Sequence, residues 1–244
     1  MIDIHSHLIF DVDDGPKTLD ESLRMVCEAE EAGVKTIIAT PHFREHMEGF
    51  EKVIENFQKL AHKASDSGVA IKLGCEVMLN PLILKNIDDR TKLCLDNSDY
   101  MLFEFPPGLI PSQGHDVIYR LQLEGIVPII AHPERNICFL KDSGLLLEFI
   151  ERGCLVQVDA GSIIGIYGKK IRDFSKSLIE LNLTQFVASD AHTPHGYSDC
   201  YVKAYQTVSL WVGEEKANVL FAGNAATILD NAKDNARALS EATM

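Results

Sequence analysis

One arrangement recurs along the chain: a stretch with apolar residues at helical spacing, a glycine or asparagine, then a short apolar, β-branched run. Thr18-Leu-Asp-Glu21 reads as a capping box opening a helix whose residues Leu19, Leu23, Val26 and Cys27 share one face before Gly33 stops it. Val34–Ala39 follows as a strand. Phe50, Val53, Ile54, Phe57, Leu60, Ala61 and Ala64 mark the next helix, which ends near Gly68 and gives way to the strand Val69–Leu73. Helices are expected around 115–124, 144–152 and 171–181, closed by Gly125, Gly153 and Asn182, with strands at 126–131, 155–158 and 186–189. With Ile2-Asp-Ile4 and Tyr100-Met-Leu-Phe103 the count is about seven strands, several apolar enough to be buried on both faces. The pattern predicts an α/β fold with a parallel sheet, and both an open doubly wound sheet and a closed barrel satisfy it. Pro128 is discordant, because proline has no N–H for a strand ladder. The last 35 or so residues read as helical, with a loose polar tip after Leu229.

Six of these strands end in an imidazole or a carboxylate. His5 and His7 lie two apart just past the first strand, so an extended backbone aims both to one side. Thr40-Pro-His42, Gly74-Cys-Glu76, Phe103-Glu104, Ala131-His132-Pro133 and Ser189-Asp190-Ala-His192 close five others, all at the carboxyl edge where α/β folds place their sites. Asp14, in Phe10-Asp-Val-Asp-Asp-Gly15, adds a candidate, and Asp11 or Asp13 can take its place. A lone histidine is more often a core or surface residue, and His46, His62, His115 and His195 lack the strand-end placement. A histidine pair together with five further strand ends is a poor coincidence. Imidazole and carboxylate ligands without thiolates suit divalent ions such as manganese, iron or zinc, and this set is large enough for two or three of them. Asp159 closes the sixth strand and reads as a hydrogen-bond acceptor behind the ligands.

The balance of 36 acidic against 23 basic side chains in 244 residues, net −13, argues against a general nucleic-acid binder. No stretch reaches the roughly 18 apolar residues needed to span a bilayer, and Met-Ile-Asp-Ile-His lacks a signal-peptide pattern. Without a C-x-x-C pair among its six cysteines, the chain is expected to be a cytoplasmic protein with reduced thiols and no membrane insertion.

The segments Met1-Ile-Asp-Ile-His5-Ser-His7, Phe10-Asp-Val-Asp-Asp14-Gly-Pro16, Ala131-His132-Pro-Glu-Arg135 and Ser189-Asp190-Ala-His192 resemble the PHP (polymerase and histidinol phosphatase) superfamily. Within it, the chain is similar to the bacterial manganese-dependent protein-tyrosine phosphatases of capsular and exopolysaccharide biosynthesis, from residue 1 to about 230. The resemblance implies a single PHP phosphatase domain over 1–244, a distorted seven-stranded (β/α) barrel and a trinuclear metal site at the carboxyl ends of its strands. One ion would take His5, His7, Glu76 and Asp190, a second Glu76, Glu104 and His132, and a third Asp14, His42 and His192. It also implies Mn2+, with iron or zinc as substitutes, and a phosphotyrosine-bearing bacterial tyrosine kinase as partner.

Arg135 has a planar fork suited to phosphate oxygens, and its place in the motif marks it as catalytic and substrate-binding. Family members often carry a second arginine after the Asp-x-His motif. Here the segment reads Thr193-Pro-His195-Gly-Tyr197, so His195, Tyr197 or Arg44 is expected to contact substrate instead. Gly161–Lys170 is either a rim loop on which substrate rests or a plain connection. The expected reaction is phosphate-monoester hydrolysis by metal-activated hydroxide, with Arg135 on the non-bridging oxygens and His192 a candidate proton donor. No cysteine is followed by an arginine six positions on, so the covalent thiol route is rejected. The alternatives are a PHP enzyme acting on a small ester such as histidinol phosphate, a nuclease, and a non-catalytic metal-binding scaffold.

Overall fold

The structure is a computed structural model that describes residues 1–43, 50–86 and 93–242. Strands β1 (Ile2–Ser6), β2 (Thr36–Ala39), β3 (His42–Phe43), β4 (Ala70–Leu73), β5 (Glu76–Met78), β6 (Tyr100–Glu104), β7 (Val127–Ala131), β8 (Leu155–Asp159) and β9 (Phe186–Ala188) alternate mostly with helices. The helices are α1 (Leu19–Glu31), α2 (Phe50–Lys63), α3 (Gly114–Leu123), α4 (Ile137–Lys141), α5 (Ser143–Glu151), α6 (Ala160–Ile164) and α7 (Lys169–Glu180). A helical C-terminal segment follows: α8 (Val202–Val212), α9 (Glu214–Asn218) and α10 (Asn224–Ala242). Thr18 does cap α1, its hydroxyl accepting from Glu21 N while Glu21 returns to the Thr18 backbone, and Gly33 beyond the end takes φ 80°. Among the described residues no helix is long and apolar enough to cross a membrane.

Every ladder is parallel, in two sheets of order β1-β2-β4 and β3-β5-β6-β7-β8-β9. Among the described residues the strands thus number nine rather than the seven expected, because two runs are each cut in two. Pro41, which has no N–H, separates β2 from β3, and Gly74-Cys75 separates β4 from β5. A side chain at position 74 would come within 2.8 Å of Leu95, so only glycine passes there. Across the breaks, Gly74 N donates to Ala39 O and Glu76 N to Pro41 O. On the other flank of β1, Asp190 N donates to His5 O and His7 N to Ala191 O, both at 2.9 Å.

Pro128 lies inside β7, between two neighbours, and the register shows why it is tolerated. Val127 N donates to Asp99 O on the β6 side, and alternate residues face opposite neighbours. Proline's missing N–H therefore faces β8, whose ladder with β7 begins only at Ile129 and Leu155.

A large apolar core lies between the sheets and the helices, and a smaller cluster lies just upstream of the strand ends. Ile4, Ile38, Leu102, Ile129, Ala131 and Ala188 belong to the smaller cluster, closed by Ala225 and Ile228 of α10. Beyond Leu229 the helix continues to Ala242, held where Asn231 accepts from Asp99 N (2.7 Å) and donates to the Asp99 carboxylate (2.8 Å).

Asp3 joins the first strand to the last. Its carboxylate, fully buried, accepts from Ser189 N (2.9 Å), Ser189 Oγ (2.6 Å) and Tyr197 OH (3.0 Å). Asp3→Ala strands three buried donors and is expected to cost about 3 kcal/mol, against about 1 kcal/mol for Tyr197→Phe, read from urea unfolding midpoints.

Candidate metal centre

All nine predicted ligand side chains meet at the carboxyl edge, in four groups whose donor atoms lie within 4.8 Å of one another. His7, Asp14, His42 and His192 form one group, and His5, His7 and Asp190 another. His5, Glu76 and His132 form a third, and His42, Glu76 and Glu104 a fourth. Glu76 stands at the junction: its carboxylate lies 2.7 Å from His132 Nε2, 2.9 Å from His42 Nδ1, 3.4 Å from His5 Nε2 and 3.5 Å from His7 Nε2. Two of the residues sit where L-amino acids rarely go, His132 at φ 32° and Asp190 at φ 48°. Strain of this kind gathers at functional sites and is held by the surrounding fold.

Outer contacts fix which nitrogen is bare in three of the five imidazoles, His5, His7 and His192. His5 Nδ1 donates to Gln157 Oε1 (2.9 Å), His7 Nδ1 to Asp13 Oδ2 (2.7 Å), and His192 Nδ1 to the Asp190 carbonyl (2.8 Å). In the neutral ring that leaves the Nε2 lone pair facing inward. His5 Nε2 and His7 Nε2 then face each other at 3.3 Å, with Asp190 Oδ1 3.2 and 3.3 Å away. His42 Nδ1 and Glu76 Oε2 are buried side by side without completing a hydrogen bond. Facing lone pairs and orphaned buried carboxylate oxygens call for cations among them, and imidazole nitrogen with carboxylate oxygen is a donor set for divalent ions.

Without an ion, protons take that role. Burial alone would depress His5, but Glu76 and Asp190 outweigh it and hold the ring at about 9. Burial likewise opposes protonation of His7, yet Asp13, Asp190 and Glu76 raise it well above its ordinary value, and His132 is raised against burial by Glu76. Burial pushes Glu76 upward, and the surrounding imidazoles more than reverse this, placing it well below the usual carboxylate range. Glu104 stays raised by burial and by Glu76.

Asp14, not Asp11 or Asp13, reaches the group, its Oδ1 3.3 Å from His192 Nε2 and 3.5 Å from His42 Nε2. Asp13 stands behind it, accepting from His7, Gly15 N and His42 N, and these contacts bring it to about 2 against the opposing effect of burial. Asp11 pairs with Lys52 at the surface. Seven of the nine candidates line a cavity of about 500 Å³, with Met78, Pro107 and Arg135 around it.

Arg135 Nη1 bonds Asp190 Oδ2 at 2.5 Å and reaches Asp159 Oδ2 at 3.5 Å, and its guanidinium lies 4.7 Å from the centre of the Tyr167 ring. Asp159 is thus a holder of Arg135, and burial, with Asp190 and Glu134 nearby, raises it to about 7. Of the other predicted substrate contacts, Tyr197 must be withdrawn: its side chain is fully buried and its hydroxyl belongs to Asp3 and Ser6. His195 is 78% exposed and points to Glu28 of α1, lining a different groove. Arg44 lies outside the described residues. Of the loop 161–170, Tyr167 lies against Arg135. Gln157 was not singled out in the sequence, although Gln157-x-Asp159 repeats the two-residue spacing of His5-x-His7.

An ion needs these imidazoles neutral, so its uptake must expel protons from His5, His7 and His132. The apparent affinity for Mn2+ is expected to rise with pH between 6 and 8, by about tenfold per pH unit for each proton expelled, checked by calorimetric titration in buffers of different ionisation heat.

Comparison with known proteins follows the same lines. A family model described as capsular polysaccharide synthesis, CpsB/CapC, matches residues 1–230. The chain is 36% identical to the tyrosine-protein phosphatase YwqE of Bacillus subtilis over 197 residues, 79% of this chain and 77% of that one. It is 35% identical to the tyrosine-protein phosphatase CpsB of Streptococcus agalactiae serotype V over 240 residues, 95% and 99% of the two chains. Crystal structures of YwqE from Bacillus subtilis and CpsB from Streptococcus pneumoniae, metal-dependent tyrosine phosphatases, include a chain that superposes with a TM-score of 0.88 at 34% identity over 95% of both. A histidinol phosphate phosphatase of Lactococcus lactis shares the fold alone, with a TM-score of 0.55 at 14% identity.

Proposed function

The chain belongs to the CpsB/CapC family of capsular polysaccharide synthesis, and from that premise we propose that it is a metal-dependent phosphatase that hydrolyses phosphotyrosine in proteins. The observation that carries the reading is the convergence of outward-tethered imidazoles, their bare nitrogens inward, on Glu76 and Asp190. We assign His5, His7, Glu76 and Asp190 to one ion, Glu76, Glu104 and His132 to a second, and Asp14, His42 and His192 to a third. Imidazole and carboxylate donors without thiolates suit manganese, iron and zinc alike, and we take Mn2+ first because the family resemblance implies it. Such ions supply Lewis acidity and a water acidic enough to act as hydroxide near neutral pH.

The protein's own groups do the rest. Arg135 meets the non-bridging phosphate oxygens with its planar fork, held in orientation by Asp190, Asp159 and Tyr167. Asp13 and Gln157 keep His7 and His5 in the tautomer that binds. His192 has one inward nitrogen, which cannot serve an ion and carry a proton at once. We therefore keep it as a ligand and assign the proton for the departing tyrosine oxygen, whose phenol has a pKa of about 10, to solvent.

We also read the two sheets as one distorted seven-stranded barrel in a single domain. In that reading β2 with β3 and β4 with β5 are broken strands, and the Asp190–His5 and His7–Ala191 hydrogen bonds close the ring. The partner in this proposal is a bacterial tyrosine kinase governing polysaccharide synthesis, met in the cytoplasm, and the free thiols Cys27, Cys138, Cys154 and Cys200 suit a reducing compartment.

The test is release of phosphate from a phosphotyrosine peptide, beside histidinol phosphate, with added Mn2+ and with chelator, alongside metal content by plasma emission. Chelator-sensitive preference for the peptide is expected. Glu76→Gln should lose metal and activity together, while Arg135→Ala should keep the metal and lose about 10²–10³-fold in turnover. Full metal and activity in Glu76→Gln would sink the assignment.

A further inference from the structure

A second cavity, of about 120 Å³, adjoins the metal-centre cavity and shares four wall residues with it: Glu104, Pro107, His132 and Arg135. Its character is different. The remaining lining is Phe105, Ala131, Pro133, Asn136 and Phe139, so carbon dominates. The Asn136 amide is engaged at both ends, Nδ2 donating to Pro106 O (3.3 Å) and Oδ1 accepting from Cys138 N (2.9 Å), which fixes its orientation and leaves one N–H beyond these bonds. His132 Nε2 is directed to Glu76. Charge is confined to the shared wall, where Glu104 and Arg135 stand; of the other five lining residues only Asn136 has a polar side chain, so an apolar group meets mostly carbon there.

Size and wall chemistry narrow the occupant. An apolar cavity of about 150 Å³ is known to admit a benzene molecule, so this recess is of the right order for one aromatic ring. Phe105 is the hub of a fixed aromatic set, with ring centres 5.4 Å from Phe103, 5.3 Å from Phe139 and 5.0 Å from Phe149, at tilted or edge-on angles. Such a wall offers ring faces and edges to a further ring and is held by packing on several sides. Because His132 and Glu104 line both spaces, the group in the recess must be bonded almost directly to the phosphate, as the phenyl ring of phosphotyrosine is.

We infer that the recess edged by Pro107 and walled by the contacting rings of Phe105 and Phe139 is an aryl subsite that receives the ring of the phosphate ester. This rests on the phosphatase reading and adds to it a reason for selectivity. Phosphoserine and phosphothreonine leave the recess unfilled, and the discrimination comes from burial of the ring rather than from a hydrogen bond to it.

Two measurements on the metal-loaded full chain test it separately from the phosphatase reading. Binding of phenylphosphonate and methylphosphonate, which do not turn over, is compared by calorimetry, and the phenyl compound is expected to bind at least tenfold more tightly. Turnover is then compared for phenyl phosphate and 2-naphthyl phosphate. Phe139→Leu enlarges the recess and should raise the naphthyl-to-phenyl ratio of kcat/KM about fivefold with metal content retained. Pro107→Ala, at the exposed edge, should lower the phosphotyrosine-to-phosphoserine ratio at least threefold and decides the matter if Phe139→Leu fails to fold. Equal affinities for the two phosphonates, or unmoved ratios in the folded variants, would overturn the subsite while leaving the phosphatase intact. Tight phenylphosphonate binding without turnover of any phosphotyrosine peptide would support the subsite and count against the phosphatase reading alone.

Discussion

Two imidazole nitrogens, His5 Nε2 and His7 Nε2, face each other at 3.3 Å with a buried carboxylate beside them, and much of the molecule serves to keep them there. Bare lone pairs at that distance repel unless a proton or a cation lies among them. The fold holds them by tethering the far side of each ring, His5 to Gln157 on β8 and His7 to Asp13 in the loop after β1. Asp13 in turn accepts from His42 N, which ties the third imidazole to the same anchor. The backbone contributes as well, since His132 and Asp190 take left-handed conformations that an unconstrained chain would leave.

Much of this is legible in the sequence because it is periodic. A helix that needs a glycine to stop and a strand that needs β-branched residues to pack give the alternation away, and a ligand at a strand's end is marked by its position. His5, His7, Glu76, Glu104, His132 and Asp190 are marked as candidates in this way, and the fold does bring them together. What escapes is set by contacts between residues far apart. Pro41 announces its missing N–H in the sequence, but nothing local in Gly74-Cys75 says that a strand breaks there, because the constraint at Gly74 is the close approach of Leu95. Tyr197 looks like a polar residue near the site and is in fact buried on Asp3, a partner 194 positions away. Among three neighbouring aspartates, only the turn at Gly15 decides that Asp14 faces the group while Asp13 supports it.

In the proposed site, Arg135 would link the ion-holding carboxylate of Asp190 to the phosphate. The guanidinium that would grip phosphate is bonded to Asp190, which also faces His5 and His7, and it rests against the exposed ring of Tyr167. An arginine held on two sides loses little rotamer freedom when an anion arrives, so more of its attraction appears as binding. The aromatic walls around the adjoining recess are fixed in the same manner, by ring contacts on several sides.

The pairing of the first strand with the last has a consequence for how the molecule comes into being. His5 leaves the ribosome early, yet the residues that complete its surroundings, Gln157, Ser189 and Asp190, follow 152 to 186 positions behind Asp3 and His5. Contacts of such sequence separation make folding slow, because the ends must meet before the fold rewards the meeting. Until then the histidines are ordinary unfolded side chains with weak and unselective affinity for cations. The centre therefore assembles only when nearly the whole chain has been made, so the choice of metal falls to the finished molecule and the ion pool around it.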